Sequence, residues 1–199
     1  MVTRAMTHIP IVFVRHGETD WNATGRLQGH RDIPLNDRGR GQARRNGRAI
    51  AENFPDIGDF DFVASPLARA RETMEIMRTS LNLEPAGYRL DDRLKEVHHG
   101  AWEGFTDEEL AKHDPHAAAR RRADLWHFMP SGGESYELLS ERVWGWFATL
   151  DHPAVVVAHG GVGRVLRRRI LDIDPRVVVA EVFPQDKVFH WHGGTEAVI

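Results

Sequence analysis

The stretch IPIVFVRHGET, residues 9–19, joins an apolar run to an abruptly polar turn. Its first six residues are mostly apolar or β-branched, which predicts a fully buried strand. Arg15, His16 and Gly17 then stand at the carboxyl end of that strand. Open α/β sheets bind ligands at this edge. Taken alone, however, the stretch fits an ordinary surface turn about as well as it fits a ligand site.

The composition is that of an ordinary globular protein. The chain has 199 residues, of which 41% are hydrophobic and 28% charged. This length suits one large domain, so we expect residues 1–199 to form a single domain. A net charge of -3 argues against nucleic acid or an anionic membrane as a partner. The absence of cysteine excludes thiolate chemistry and agrees with a reducing compartment.

The N-terminal segment, residues 1–8, lacks the apolar centre of a signal peptide. No apolar run in the sequence approaches the roughly 20 residues that a membrane helix needs. We therefore expect a cytoplasmic protein. Twelve histidines are present, so no single histidine is strong support for a site.

Strand and helix patterns alternate along the chain. Strands are predicted at residues 9–14, 60–64, 87–90, 153–158, 176–180 and 187–192. Helices are predicted at residues 36–54, from Ser65-Pro66 to Leu81, at 117–122, at 135–150 and at 160–170. This alternation predicts an α/β fold with three layers, α/β/α, in which helices cover both faces of a mostly parallel central sheet. The irregular polar segment around residues 93–135 is predicted to be a lid or to line the substrate.

Three turns are expected to meet at one edge of the sheet, because all parallel strands end on the same side. These turns hold residues 15–17, 65–69 and 159–161. Together they bring two histidines, two arginines and the amino ends of helices. Such a cationic pocket suits a compact polyanion, and arginine forks match the oxygens of a phosphate group.

The two histidines indicate catalysis in addition to binding. A neutral imidazole is a competent nucleophile near pH 7. Phosphoryl transfer also needs stabilisation of the equatorial oxygens and an acid for the leaving oxygen. The sequence contains neither a compact Asp/Asn cluster for Mg²⁺ nor a GxxxxGK[ST] loop. We therefore expect no metal and no cofactor.

Four segments carry a resemblance to a known family: RHGETDWN (15–22), SPLARARET (65–73), LKEVHHGAWEG (94–104) and VAHGGV (157–162). They resemble the histidine phosphatase superfamily, and more narrowly its phosphoglycerate-mutase-like branch. They occur in the family's order and spread over most of the chain. The resemblance implies a phosphoglycerate-mutase-like fold and a phosphohistidine intermediate.

The resemblance also implies roles for individual residues. His16 is the nucleophile, and Glu96 donates a proton to the leaving alcohol and then acts as a base toward water. The transferred phosphoryl group is bound by Arg15, Arg69 and His159, with Asn22 in support. Further positions that match the phosphate or substrate pocket are Thr19, Gln28, Gly29 and the backbone of Gly160. Glu103 and Glu134 also lie near site segments, and Glu96 ranks first by its place before His98-His99-Gly100.

The resulting hypothesis is a metal-independent phosphatase that hydrolyses small phosphorylated metabolites. The alternatives are a phosphoglycerate mutase and a catalytically silent module that binds phosphate. Mutases of the family are longer and carry a basic insertion, whereas residues 130–135 look more like the phosphatases. Residues 120–122, all arginine, lie in roughly the region of that insertion. A homodimer is a reasonable expectation for such a domain.

Two further basic groups allow more than one interpretation. Arg26, His30 and Arg31 contact a second anionic group of the substrate or belong to a solvated loop. Arg164 and residues 167–169 form a patch for nucleic acid or a solvated helix face with ordinary ion pairs, and we expect the solvated face.

Overall fold

The structure, a computed structural model, describes residues 8–199. The prediction that the N-terminal segment lacks a signal peptide concerns residues 1–7 above all, and these lie outside the described part. Six strands are found: β1 Ile11–Arg15, β2 Asp61–Ala64, β3 Arg89–Leu90, β4 Ala154–Ala158, β5 Val188–His192 and β6 Thr195–Val198. Within the same residues there are eight α-helices: α1 Asp20–Ala23, α2 Asp37–Asn53, α3 Ala68–Ser80, α4 Asp107–His113, α5 Pro115–Ala123, α6 Tyr136–Phe147, α7 Gly160–Leu171 and α8 Pro175–Ala180.

The strands form one sheet in the order β3-β2-β4-β1-β5-β6. The first four strands of this order run parallel, while β5 and β6 are antiparallel to their neighbours. The prediction of an α/β fold with a mostly parallel sheet is confirmed. Because β1 pairs with β4, Arg15 lies opposite Ala158, and His16 N donates to Ala158 O at 2.9 Å.

Helices cover both faces of the sheet, as the alternation of patterns predicted. Successive residues of a strand point to opposite faces. In β1, Val12 and Val14 pack with Ile50 of α2 and with residues of α3. Phe13 packs on the other side, in the cluster that contains Leu139 of α6 and residues of α7. Two apolar layers therefore hold β1 at the centre of the molecule and give its carboxyl end a fixed position.

The predicted strand at residues 176–180 is wrong, because this segment is the helix α8. Asp174 caps it by accepting from Arg176 N at 2.7 Å, and Pro175 occupies its first turn. These start signals outweigh the strand preference of the valines that follow. The sequence pattern also gave no sign of β6, which pairs antiparallel with β5.

The predicted start of α3 at Ser65-Pro66 is also wrong, since the helix begins at Ala68 and its N-cap is Leu67. Ser65 is fully buried, and its hydroxyl lies 2.7 Å from His159 Nε2. The Ser-Pro pair thus ends β2 and turns the chain toward the site. Within residues 8–199, no helix is both long and apolar enough to cross a bilayer.

Candidate active site

Four side chains meet at the carboxyl edge of the sheet, and we call them the floor: Arg15, His16, Arg69 and His159. They come from the ends of β1 and β4 and from the first turn of α3. Arg69 Nε lies 3.3 Å from His16 Nε2, and the two histidine rings lie 5.1 Å apart between centroids. The structure therefore brings the three predicted turns together.

His16 is buried, with 2% of its surface exposed, and is oriented by its own backbone. Its Nδ1 lies 2.7 Å from Gly17 O. Because a carbonyl oxygen only accepts, Nδ1 carries the proton and the lone pair is left on Nε2. Burial lowers the pKa of His16 well below its ordinary value, and the charges of Arg69 and Arg15 lower it further. The imidazole is therefore neutral at physiological pH.

The two arginines of the floor are cations without a carboxylate partner among the described residues. Arg69 is fully buried and donates to the carbonyl oxygens of Arg31 and Gly29, both at 2.8 Å. Arg15 donates to Phe183 O at 2.7 Å, and its buried Nε has no hydrogen-bond partner in the described chain. Burial lowers the pKa of Arg15 to about 10, so the group stays charged at neutral pH. A buried cation with a free donor requires an anion.

His159 lies behind His16, at the N-cap of α7. It is fully buried, and its Nδ1 has no hydrogen-bond partner among the described residues. Burial lowers its pKa well below the ordinary value, followed by the effects of Arg69 and of His16. The second imidazole of the floor is therefore also neutral, and it has one polar atom left for a ligand or water.

Glu96 faces the floor from the other side of the site. Its Oε2 accepts from Gly161 N at 3.1 Å, and its Oε1 accepts from Val97 N at 2.9 Å. A Cβ atom at position 161 would collide with this carboxylate, so glycine is needed for the close approach. The amino end of α7 thus holds Glu96 in place.

The other two carboxylates considered from the sequence are engaged elsewhere. Glu103 accepts from His30 N at 2.8 Å, and Glu134 accepts from Arg142 Nη2 at 2.6 Å. Neither residue lines the cavity above the floor, whereas Glu96 does. The geometry therefore supports the ranking that the sequence resemblance implied.

A cavity of about 370 Å³ opens above His16. The predicted site residues that line it are Arg15, His16, Asn22, Gln28, Gly29, Arg69 and Glu96. Asn22 Oδ1 accepts from Gln185 Nε2 at 2.9 Å, which aims the amide group of Asn22. Gln28 Oε1 is buried without a partner in residues 8–199 and is a second polar atom left for a ligand or water.

Three of the predicted site residues do not line the cavity. Thr19 is fully buried and caps α1, where its hydroxyl accepts from Asn22 N. Gly160 lies beneath Arg15, and His159 lies behind His16. These residues therefore shape the positions of side chains that do reach the cavity.

The structure gives different surroundings to the three residues that the sequence left with two interpretations, Arg26, His30 and Arg31. Arg26 lines the cavity, but its guanidinium forms two hydrogen bonds with Glu109. His30 Nε2 bonds to Glu96 O at 3.0 Å, so its ring supports the backbone of the loop. The Arg31 side chain is 67% exposed and lies on the outside, which agrees with the solvated loop.

The irregular segment contributes one side of the cavity, which we call the wall: Glu96, Val97, His99, Asp107, Arg121 and Leu125. Of these, only Glu96 was singled out from the sequence, while Arg121 belonged to the arginine run left open. Arg121 donates to Asp107 Oδ1 at 2.7 Å. Helical spacing could not identify these residues, because they lie on loops and on the short helices α4 and α5.

Arg164 corrects the prediction of a uniformly solvated face on α7. Arg167 and Arg169 do form ion pairs, with Glu196 and Glu141. Arg164 instead lines the cavity, where Nη1 donates to Tyr136 Oη at 3.0 Å. A signal was available, because Arg164 lies one helical turn after Gly160 and so shares its face.

Among residues 8–199, no three His, Asp or Glu side chains cluster closely enough to hold a metal ion. The cationic groups around the described cavity are arginines: Arg15 and Arg69 of the floor, together with Arg26, Arg121 and Arg164. The arrangement comprises a neutral imidazole with a free lone pair, two buried guanidinium groups and a carboxylate. This set suits the transfer of a phosphoryl group from an alcohol oxygen.

Comparison with known proteins agrees with this geometry. The model of the histidine phosphatase superfamily (branch 1) matches residues 11–180. The chain belongs to this superfamily. It is 34% identical over 178 residues to the glucosyl-3-phosphoglycerate phosphatase of Mycobacterium tuberculosis, covering 82% of this chain and 75% of the relative. It is 38% identical over 169 residues to phosphoglycerate mutase-like protein 4 of Arabidopsis thaliana, covering 80% and 70%.

Solved structures of the superfamily share the fold. The crystal structure of TTHB049 from Thermus thermophilus matches with a TM-score of 0.71 and 35% sequence identity, covering 92% of each chain. The fold is therefore phosphoglycerate-mutase-like, as the resemblance implied. Membership of this superfamily, together with relatives that are phosphatases, makes the chain a phosphoric monoester hydrolase of the histidine phosphatase type.

Proposed function

We propose that this chain is a metal-independent phosphatase that hydrolyses small phosphorylated metabolites through a phosphohistidine on His16. The observation that carries the proposal is the bond from His16 Nδ1 to Gly17 O, which leaves the lone pair on Nε2. That atom lies beside two buried arginines with no carboxylate partner in the described chain. A phosphate dianion at this place would neutralise both cations.

In the first step, phosphoryl oxygens take the place of His16 Nε2 as acceptors of the Arg69 Nε–H. The exchange frees the lone pair for attack, since the resting contact of 3.3 Å is a weak one. His16 Nε2 bonds to phosphorus while the ester P–O bond breaks. Glu96, protonated in this step, passes its proton to the leaving oxygen. Arg15 and Arg69 stabilise the equatorial oxygens throughout.

In the second step, water replaces the alcohol. Glu96, now a carboxylate, accepts a proton from water as the water oxygen attacks phosphorus. The P–N bond breaks, and its electron pair returns to His16 Nε2. Phosphate then leaves, and Glu96 is protonated for the next cycle. One carboxyl group therefore serves as acid and base in turn.

The wall is proposed to contact the leaving group, while Asn22 and Gln28 contact the phosphoryl group. The cavity of about 370 Å³ suits a small metabolite. The mycobacterial relative, named for a small phosphorylated compound, supports this substrate class. The alternative is a mutase, in which the phosphoryl group is transferred to a second hydroxyl instead of to water. The similarity to a phosphoglycerate mutase-like protein supports this alternative, because the floor suits both reactions.

The test is hydrolysis of p-nitrophenyl phosphate in EDTA by the wild type, His16→Ala and the surface control His113→Ala. We expect the wild type and the control to turn over and His16→Ala to lose at least about 10³-fold in kcat, as loss of a nucleophile does. Rapid quenching with labelled substrate should trap an acid-labile, base-stable adduct in the wild type only. Undiminished turnover by His16→Ala would sink the phosphohistidine mechanism.

Two other outcomes point to the alternatives. Dependence on 2,3-bisphosphoglycerate with efficient interconversion of phosphoglycerates would favour the mutase. Absence of turnover by the wild type across a panel of phosphorylated metabolites would favour the binding module.

A further inference from the structure

The imidazole of His99 is a polar group of the wall that the phosphoryl transfer proposed above does not use. It follows Glu96 by three residues and borders the cavity. Neither ring nitrogen forms a hydrogen bond with any residue that the structure describes, and neither is a sealed, buried atom. The two nitrogens therefore remain available to a ligand in the cavity that His99 borders.

The backbone at His99 is held in place by the contacts of its loop. The next residue, Gly100, has a φ of 54°, and a side chain there would strike the backbone of Ser131. Ala101 N donates to Ser131 O at 2.9 Å, which joins this turn to residues 130–133. A fixed position is what a recognition group needs, because little entropy is lost when it binds.

The ring is also uncharged. Burial lowers the pKa of His99 to about 4. The negative charge of Glu96 opposes this shift, and the positive charge of Arg121 adds to it. A neutral imidazole presents one donor and one acceptor. A hydroxyl group also donates and accepts once each, so it satisfies both kinds of atom. A carboxylate or a phosphate only accepts hydrogen bonds. The unprotonated nitrogen of His99 also only accepts, so it could form no hydrogen bond with such a group.

The position of His99 says which part of a substrate it meets. His99 lines the same cavity as Glu96, and in the proposed mechanism Glu96 is the group that faces the leaving oxygen. Val97 and Leu125 flank the same side of the cavity and suit a short carbon chain. A hydroxyl held by His99 would therefore lie on a carbon close to the ester oxygen.

We infer that His99 recognises a hydroxyl group of the leaving alcohol, so that the preferred substrates are phosphate monoesters of polyhydroxy compounds. This inference rests on the proposed phosphatase function. A substrate that lacks this hydroxyl still displaces water from the cavity. The donor and the acceptor of His99 are then left without a hydrogen-bond partner. One such neutral hydrogen bond corresponds to about tenfold in the transition state.

The test compares two esters that differ by one hydroxyl: 1,2-propanediol 1-phosphate and 1-propyl phosphate. Their hydrolysis is measured with the wild type, His99→Phe and His99→Asn, after circular dichroism has checked that each variant is folded. We expect the wild type to prefer the diol ester by about tenfold in kcat/KM. We expect His99→Phe to lower kcat/KM for the diol ester about tenfold more than for propyl phosphate, so that the preference disappears. His99→Asn, which keeps a donor and an acceptor, should restore part of it.

Two results would overturn the inference. If the wild type hydrolyses both esters equally, or if His99→Phe keeps the full preference, His99 does not read a hydroxyl and the phosphatase function stands. If the wild type hydrolyses neither ester nor p-nitrophenyl phosphate, the phosphatase function fails and the inference fails with it.

Discussion

The floor and the wall of the cavity are built in different ways. The floor consists of side chains at the ends of buried parallel strands, and three of its four residues are fully or almost fully buried. The wall consists of loops and the short helices α4 and α5, where Arg121 meets Asp107 through an ion pair at the surface. The floor is therefore held by the core, whereas the wall is held by local contacts.

This difference separates chemistry from selection. In the proposed mechanism, the floor contacts the phosphoryl group, so it suits any phosphate monoester. In the same mechanism the wall contacts the rest of the substrate, so its residues other than Glu96 decide which alcohol fits. Changes in the floor are expected to lower kcat for every substrate, and changes in the wall are expected to alter the ratio between substrates.

After the loss of the nucleophile in His16→Ala, the largest effect is expected from Arg69→Met. Arg69 donates toward His16 and is the fully buried cation of the floor, so its loss removes a preorganised donor to the transferred group. We expect kcat to fall by about 10²–10³ on every phosphate monoester. The control is Arg71→Met, an exposed position in the same helix. A loss confined to one substrate would show that the floor also selects.

A smaller and selective loss is expected from Glu96→Gln, the wall residue nearest the chemistry. An alkyl leaving group needs a proton, so kcat for alkyl phosphates should fall by about 10². Nitrophenolate leaves without a proton, so p-nitrophenyl phosphate should still give a burst of one nitrophenol per site. Stopped-flow absorbance measures the burst, with Glu108→Gln as the exposed control. Equal loss of the burst and of alkyl turnover would remove Glu96 from the role of acid.

The sequence predicted the floor better than the wall for a physical reason. A buried strand that ends in Arg15-His16-Gly17 leaves a strong pattern, and parallel strands must end on one edge. The family resemblance added Glu96. His99 and Arg121 reach the cavity through loops whose path depends on tertiary contacts, such as the bond from Ala101 N to Ser131 O. No periodicity in the sequence encodes those contacts.

Two features in the C-terminal part of the chain, the helix α8 and the surroundings of Arg164, were predicted wrongly for a related reason. Residues 177–179, three valines, favour a strand locally, yet the preceding Asp-Pro start signal makes them a helix. The amphipathic spacing of α7 placed Arg164 among solvated arginines, although its position one turn after Gly160 pointed to the site, and the structure shows that it lines the cavity. Local pattern therefore predicts elements well and their surroundings poorly.

We expect acid to destabilise the fold through the two histidines of the floor, His16 and His159. The pKa of His16 and that of His159 lie well below 6.5 in the fold, because both rings are buried beside arginines. The unfolded chain therefore binds more protons below pH 6.5, and the free energy of unfolding falls as pH falls from there. Each such histidine contributes a slope of up to about 1.4 kcal/mol per pH unit.

Urea unfolding at pH 7, 6 and 5 measures this slope. We expect His159→Gln to reduce it by about the contribution of one histidine. His152→Gln should not, because Asp151 raises the pKa of the exposed His152 and so gives the opposite sign. An unchanged slope in His159→Gln would mean that the floor histidines are not the groups that acid charges.

The smallest effect is expected from Arg121→Gln. Its ion pair with Asp107 joins α5 to α4 at the surface, and such pairs contribute about 0–1 kcal/mol. We expect kcat on p-nitrophenyl phosphate to stay within about twofold and KM for larger phosphate esters to rise by a few-fold. Arg120→Gln, next in sequence but outside the cavity, should change neither value. If Arg121→Gln lowers kcat on all substrates as far as Arg69→Met does, wall residues other than Glu96 take part in the chemistry and the wall cannot be separated from the floor.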